Sequence, residues 1–164
     1  GQILALTGNK KDALFHVEKS VQLDPSNTES IRQLATLYYD NGEKEKSVKT
    51  FEEAIKQEND KIIKANLYFN LGVLYMQLDQ FEDAEDNFFS AYDLNPEDTE
   101  ALSGIAQTFE NAEKWRRASK FYRELIELDP ENPDHYKGMA RVLIKQGDMD
   151  GATKYFEKAK KLGG

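Results

Sequence analysis

Small and large apolar side chains recur along the chain at a nearly constant interval. The small residues Ala13, Ser47, Ala84, Ala118 and Ala152 follow one another at intervals of 34, 37, 34 and 34 residues. Four residues after each of them stand Val17, Phe51, Phe88, Tyr122 and Phe156, and three residues later Ser20, Ala54, Ala91, Leu125 and Ala159. Spacings of three and four residues place such side chains on one face of an α-helix. The chain is therefore predicted to be an array of helical repeats.

A second apolar stripe lies upstream of the first one in each interval. In this stripe a large apolar residue is followed directly by a very small one. The pairs are Leu34 and Ala35, Leu71 and Gly72, Ile105 and Ala106, and Met139 and Ala140. The turn residues between the two stripes are Gly8, Gly42, Asp79, Glu113 and Gly147. Prolines follow the later stripe at positions 25, 96 and 130, where a helix is predicted to stop. Each unit is predicted to be a helix, a short turn, a second helix and a break.

These residues resemble the tetratricopeptide repeat, a helix-turn-helix unit of about 34 residues. The best match consists of Tyr68, Leu71, Gly72, Tyr75, Ala84, Phe88, Ala91 and Pro96. The resemblance implies an all-α fold, a right-handed superhelical solenoid of antiparallel helix pairs. It indicates one domain, 1–164, with a partial repeat at 1–27 and full repeats at about 28–61, 65–98, 99–132 and 133–164.

Two segments depart from the repeat pattern. Residues 1–27 are predicted to contain the end of a first helix at residues 2–6, a turn at Gly8 and a complete second helix. The unit that begins near Thr28 has Asn59 in place of the closing proline and three additional residues within the segment 58–64. We interpret those additional residues as lengthened helices.

The charge of the chain narrows the classes of partner. Its 22 basic and 30 acidic side chains give a net charge of −8, which opposes binding to a phosphate backbone. No apolar run approaches the ~20 residues that cross a bilayer, so no membrane contact is expected. The absence of cysteine is typical of a cytoplasmic protein, and we expect that location.

The sequence offers little that could serve in catalysis. His16 follows Asp12 by four residues but has no third metal ligand near it in the sequence. His135 is interpreted as a loop histidine beside Pro133 and Asp134. The carboxylates around Ala84 are predicted to face water, where their acidity is not tuned for acid–base chemistry. We therefore expect no metal, no cofactor and no enzymatic activity.

The family resemblance also implies where a partner would bind. In tetratricopeptide repeats the first helix of every unit lines a concave groove, so its side chains that are not used for packing are the candidate binding residues. They include Arg32, Thr36, Tyr39, Phe69, Asn70, Val73, Met76, Gln107, Lys137, Arg141 and Lys145.

Two sets within this list each allow two interpretations. Phe69, Val73 and Met76 are surplus to the core stripe of their helix, which suits an anchor for a peptide. Alternatively, the segment around Ile62 and Ile63 folds over them and makes them core. Lys137, Arg141 and Lys145 form a basic stripe that could receive a carboxylate, or a solvated helix face of little energetic value.

One function known in the family is tested directly by the sequence. Chaperone-binding members hold a terminal carboxylate with a five-residue clamp, and the aligned positions here are Arg32, Thr36, Asn70, Glu100 and Gly104. An acidic residue and a glycine at the last two positions argue against such a clamp.

Three hypotheses of function follow. The first is a non-catalytic scaffold that binds a peptide or helical segment of a partner protein in the concave groove. The second is end-to-end self-assembly into a homo-oligomer through terminal repeats without a polar cap. The third is a regulatory or substrate-presenting arm of a larger enzyme.

Overall fold

The computed structural model describes residues 2–96 and 98–163, and the side chains of residues 12–96, 98–99 and 101–163. Within these ranges the chain forms nine α-helices and no strand. They are α1 (Gln2–Leu23), α2 (Thr28–Asp40), α3 (Lys44–Gln57), α4 (Lys61–Gln77), α5 (Phe81–Leu94), α6 (Thr99–Asn111), α7 (Trp115–Leu128), α8 (Pro133–Gln146) and α9 (Met149–Lys161). The all-α helical repeat fold predicted from the sequence is confirmed.

The helices belong to two compact units, Gly1–Asn95 with α1 to α5 and Pro96–Gly164 with α6 to α9. In the first unit α2 packs against α3 and α4 packs against α5, and in the second unit α6 packs against α7 and α8 against α9. Short turns join the members of each pair, which places them antiparallel. Helix α1 packs against α2, and the hydroxyl of Tyr38 donates a hydrogen bond of 2.6 Å to Glu18 on α1.

The turn inside each helix pair has the same backbone conformation. Gly42, Asp79, Glu113 and Gly147 have φ values of 81°, 59°, 58° and 85°, all in the left-handed region. The amide that follows each of them bonds back to the preceding helix; the bond from Lys114 N to Phe109 O, for example, is 2.9 Å long. This arrangement is a Schellman motif, which satisfies the last carbonyls of a helix. These four predicted turn positions are confirmed.

The first helix of each pair begins at a side-chain cap. Asn27, Asp60, Asp98 and Asn132 each accept a hydrogen bond from an amide in the first turn of α2, α4, α6 and α8. Such caps satisfy amides that have no partner within the helix. Helices α1, α5 and α7 end at Leu23, Leu94 and Leu128, two residues before a proline, as predicted.

The small residues allow the two helices of a pair to approach closely. Ala84 and Ala118 are fully buried, and Ala152 is 2% exposed. Ser47 occupies the same slot on α3, and its hydroxyl donates a hydrogen bond of 2.7 Å to the carbonyl of Ala35. A Cβ added to Gly72 would lie 2.6 Å from the ring of Phe88. The repeated small residues are therefore explained by packing.

The prediction of a turn at Gly8 was wrong, because α1 continues from Gln2 to Leu23 without a break. A glycine inside a helix costs only about 1 kcal/mol relative to alanine. A separate helix over residues 2–6 would have little more than one turn and would carry the full cost of nucleation. Continuation of the existing helix instead adds one hydrogen bond for each residue.

The three additional residues of the segment 58–64 lengthen one helix only. Helix α4 has 17 residues, whereas α2 and α6 have 13 each, and α3 keeps the 14 residues that α5 and α7 also have. The extra turn of α4 starts after Asp60, whose carboxylate accepts hydrogen bonds from the amides of Ile62 and Ile63. The lengthening that the sequence predicted therefore lies at the start of α4.

Candidate functional site

The apolar inner row consists of Phe69, Val73 and Met76, which lie on one face of α4 in the first unit. All three side chains are half-buried, while Leu71 and Leu74 on the same helix are 3% and 5% exposed. The ring of Phe69 contacts that of Phe88 on α5, with a centroid distance of 5.7 Å. The inner row thus keeps part of its apolar surface accessible.

The extra turn of α4 directs its two isoleucines elsewhere. Ile62 is 52% exposed, and Ile63 packs against the buried cluster that includes Ile31, Phe51 and Leu67. The alternative interpretation required the segment around Ile62 and Ile63 to fold over the inner row. These two residues instead belong to the first turn of α4 itself. Phe69 nevertheless serves packing as well, because it lies against Phe88.

The candidate residues on α2 are held by contacts within the first unit. Arg32 makes a bidentate ion pair with Glu29, with a shortest N–O distance of 2.7 Å, and it holds the pKa of Glu29 below its usual range together with Gln33. The hydroxyl of Thr36 donates to the carbonyl of Arg32. The hydroxyl of Tyr39 donates to the carbonyl of Gln77 at 3.2 Å, which joins α2 to the end of α4.

Asn70 and Gln107 are the remaining polar, uncharged residues among the candidate binding residues. The side-chain amide of Asn70 donates a hydrogen bond of 2.7 Å to the carbonyl of Asn66, one turn earlier on α4. Asn70 is half-buried. Gln107 is exposed on α6, three residues before Glu110, so the two side chains share one face of that helix.

The three cations of the basic stripe on α8 differ in the partners that they have. Lys137 pairs with Asp134 at 3.1 Å, and Arg141 forms two hydrogen bonds with Glu110 on α6, of 2.8 and 3.1 Å. Lys145 is exposed and has no hydrogen-bond or ion-pair partner among the described residues. The stripe is therefore partly neutralised by carboxylates of its own unit.

Glu110 lies at the centre of a network that joins α6, α7 and α8. The hydroxyl of Tyr122 donates a hydrogen bond of 2.6 Å to Glu110, and Arg141 contacts the same hydroxyl at 3.3 Å. Burial raises the pKa of Glu110, but the hydrogen bonds from Arg141 and Tyr122 outweigh that effect and lower it. Burial and the bond to Glu110 raise the pKa of Tyr122. The network orients the guanidinium of Arg141, whose side chain remains 50% exposed.

This network was not predicted from the sequence. Tyr122 was predicted only as a residue of the repeated core slot, and Arg141 was not connected with Glu110, which precedes it by 31 residues. A comparison of unlike charges about one repeat apart on successive first helices would have found the pair.

The structure also corrects the interpretation of His135. This residue lies in α8, not in a loop, and is only 5% exposed, and no hydrogen-bond partner of its Nδ1 is present among the described residues. His16 is exposed on α1 and lies edge-on to Phe15. In the part of the chain that the structure describes, no group of three or more histidine, aspartate or glutamate side chains could hold a metal ion.

None of the helices within the described residues is long and apolar enough to span a membrane.

Comparison with known families identifies two matching regions. The family described as "Anaphase-promoting complex, cyclosome, subunit 3" matches residues 7–91, which is more than half of the chain. The family described as "Tetratricopeptide repeat" matches residues 111–162. The two regions together cover most of the chain.

Among curated proteins, the chain is similar to anaphase-promoting complex subunit 3 of Schizosaccharomyces pombe, with 25% identity over 158 residues. The match covers 96% of this chain but 23% of that protein. Among solved structures, the chain resembles MamA, with a TM-score of 0.63, 23% identity and coverage of 97% and 91% of the two chains. It also resembles YrrB, described as a protein "with an unusual peptide-binding site", with a TM-score of 0.59, 20% identity and coverage of 98% and 81%. At these identities the structural likeness shows the fold.

Proposed function

Because the chain belongs to the tetratricopeptide-repeat family, we propose that it is a non-catalytic scaffold that binds a peptide or helical segment of a partner protein. The proposed binding surface in each unit is the face of its first helices that carries the candidate residues, and the apolar inner row of α4 in the first unit is the main anchor. A role in protein interaction agrees with the family and with the peptide-binding site named for YrrB.

The accessible surface of the apolar inner row carries this proposal. Phe69, Val73 and Met76 remain half-buried although α4 already supplies Leu67, Leu71 and Leu74 to the core. A partner side chain that covers this row would gain about 25 cal/mol for each Å² of apolar surface removed from water. Methionine adapts its shape to different ligands at little cost.

The polar candidate residues would determine how a bound partner is oriented on this surface. The ion pair between Arg32 and Glu29 is exposed, at 51% and 57% of the side-chain surface, so its net contribution to stability is small. A partner carboxylate could therefore share or replace Glu29 at the guanidinium. In the second unit, Arg141 is oriented by Glu110 and Lys145 has no partner among the described residues, which favours acidic groups in a ligand there.

A binding experiment with polar variants tests the proposal. The immobilised chain captures partners from a lysate of its source cells, mass spectrometry identifies them, and calorimetry measures the affinity of each purified partner. Val73→Thr/Met76→Gln changes the polarity of the row at nearly constant volume, and the matched control Ile62→Thr changes an exposed apolar residue of the same helix. We expect about tenfold weaker binding for the double variant and unchanged binding for the control. Equal affinities for all three proteins would refute the proposed anchor.

Exposed apolar side chains on α9 favour a second candidate function, self-assembly. Phe156 is 41% exposed and Met149 is 60% exposed, whereas Tyr122, which occupies the same slot as Phe156 one repeat earlier, is 2% exposed. Tyr122 is covered because Gly138 of α8 lies against its ring. A second copy could cover the exposed part of Phe156.

Sedimentation velocity separates the two candidates. Self-assembly predicts species larger than a monomer at rising concentration, and a shift toward the monomer on Phe156→Gln. A wild-type chain that stays monomeric throughout would exclude this candidate for the chain. The third hypothesis, an arm of a larger enzyme, stays a prediction; the chain spans only 13% to 27% of the first three curated relatives that it matches.

A further inference from the structure

The turn between α2 and α3 contains the only place in the chain where a glycine directly follows an asparagine, at Asn41 and Gly42. Both residues are exposed. The side chain of an asparagine can react with the backbone nitrogen of the next residue. This reaction is least hindered before glycine, because glycine has no Cβ. Asparagine is accordingly among the thermally labile residues of proteins, so this pair is a candidate for spontaneous covalent modification.

The folded turn keeps the two reacting groups apart. Gly42 has a φ of 81°, and its amide donates a hydrogen bond of 2.9 Å to the carbonyl of Tyr39. The ψ of Asn41 is −1°, which places the Gly42 nitrogen on the side of the Asn41 backbone nitrogen. Ring closure requires the Gly42 nitrogen to lie on the side of the Asn41 Cβ instead. Both the hydrogen bond and this ψ must therefore change before the groups can meet.

We propose that Asn41 is a deamidation site whose reaction is controlled by the opening of this turn. The Gly42 nitrogen loses its proton to hydroxide or a buffer base and attacks the side-chain carbonyl carbon of Asn41. A new N–C bond forms, the side-chain nitrogen takes up a proton and leaves as ammonia, and a succinimide remains. Water opens the succinimide at either carbonyl and gives aspartate or isoaspartate. The net change is an amide and water to a carboxylate and ammonia.

The equivalent turns of the chain lack this pair of groups. Leu78 and Ala112 occupy the place of Asn41 before the left-handed residues of their turns and carry no side-chain amide. Gln146 precedes Gly147, but its additional methylene group requires a larger ring, which closes more slowly. The reaction is therefore specific to the turn between α2 and α3.

Conversion of Asn41 would weaken the end of α2. The new carboxylate would stand in a sequence that has Asp40 before it and Glu43 after Gly42, and a helix C-terminus disfavours negative charge. Isoaspartate also adds one carbon to the main chain before Gly42. That carbon disturbs the hydrogen bond of 2.8 Å from the amide of Glu43 to the carbonyl of Tyr38. The converted chain should therefore unfold at a lower temperature than the unconverted one.

Peptide mapping by mass spectrometry tests the proposal on the full chain. The chain is incubated at mildly alkaline pH, once folded and once in denaturing guanidinium chloride, and the conversion of each asparagine is followed with time. In guanidinium chloride we expect Asn41 to convert faster than Asn111, which precedes an alanine. We expect its conversion in the folded chain to be slower by about tenfold or more, because only the open turn reacts.

The matched variant is Gly42→Asp. Asp79 occupies the equivalent turn position with a φ of 59°, so aspartate is compatible with the left-handed turn, and circular dichroism checks the fold. The added Cβ hinders the attack, and conversion of Asn41 in guanidinium chloride should slow by about tenfold or more. Conversion of the folded chain as fast as that of the unfolded chain would overturn control by the turn. Conversion of Asn41 no faster than that of Asn111, or unchanged by Gly42→Asp, would overturn the site.

Discussion

Replacement of Gly138 by alanine tests how the second unit is assembled. Gly138 lies in α8, and a Cβ at this position would come within 2.2 Å of Cε1 and 2.4 Å of Cζ in the ring of Tyr122. These distances are far below van der Waals contact, so the ring or the helix must move. Tyr122 is 2% exposed, and its hydroxyl is bonded to Glu110. The ring therefore has little freedom to move aside.

The expected magnitude follows from three contributions. Overpacking of a core costs about 1–3 kcal/mol. Displacement of the Tyr122 hydroxyl weakens a hydrogen bond to a charged group, which contributes about 1.5–3 kcal/mol. The substitution also stabilises the helix by about 1 kcal/mol, because alanine has a higher helix propensity than glycine. We expect Gly138→Ala to lower the free energy of unfolding by about 1.5–5 kcal/mol.

Urea denaturation monitored by circular dichroism at 222 nm measures this effect. The control is the same substitution in a Tyr122→Leu background, where the shorter side chain leaves room for the added methyl group. There the substitution should stabilise the protein by about 0.5–1 kcal/mol, the intrinsic preference for alanine. A stabilising effect of Gly138→Ala in both backgrounds would refute the close contact between α7 and α8.

Three further predictions concern stability. Ala118→Leu should lower the free energy of unfolding by about 1–3 kcal/mol, because Ala118 is fully buried between helices, whereas Glu113→Lys at the turn should change it little; equal effects in urea denaturation would contradict the assigned register. Glu113→Gly should raise the midpoint of thermal unfolding, since a φ of 58° costs a non-glycine residue about 1–2 kcal/mol, and Glu113→Val should lower it; the opposite order would contradict the left-handed turn. Glu110→Gln should destabilise the protein at neutral pH, and the difference from wild type should shrink as the pH falls below the ordinary carboxyl range, because the pKa of Glu110 is lowered in the folded state and that stabilisation is lost on protonation; a difference independent of pH would contradict the charged network.

Features governed by neighbouring residues could be predicted from the sequence. The turn residues Gly42 and Glu113 and the proline that follows Leu128 each act through the local backbone, and the structure confirms the helix ends that they specify. Gly8 was misread because glycine also occurs inside helices, where its cost is small. Whether a glycine ends a helix depends on what the chain on either side can pack against.

Features that depend on side chains far apart in the sequence could not be predicted in the same way. Arg141 and Glu110 meet only because α6 and α8 lie side by side in the second unit. Phe156 carries the same residue type as the buried Phe88, yet it is 41% exposed, so the residue type at this slot does not by itself decide its burial. The sequence pattern predicted that Phe69, Val73 and Met76 form a row on α4. The degree to which these side chains are buried could be read only from the structure.

Hydrogen exchange of the chain, free and bound to a purified partner, tests the proposed inner-face site most directly. The backbone amides of α4 around Phe69, Val73 and Met76 should become more protected in the complex, while exchange in α3 should not change. Protection confined to helices other than α4, with affinity unchanged in Val73→Thr/Met76→Gln, would contradict the account.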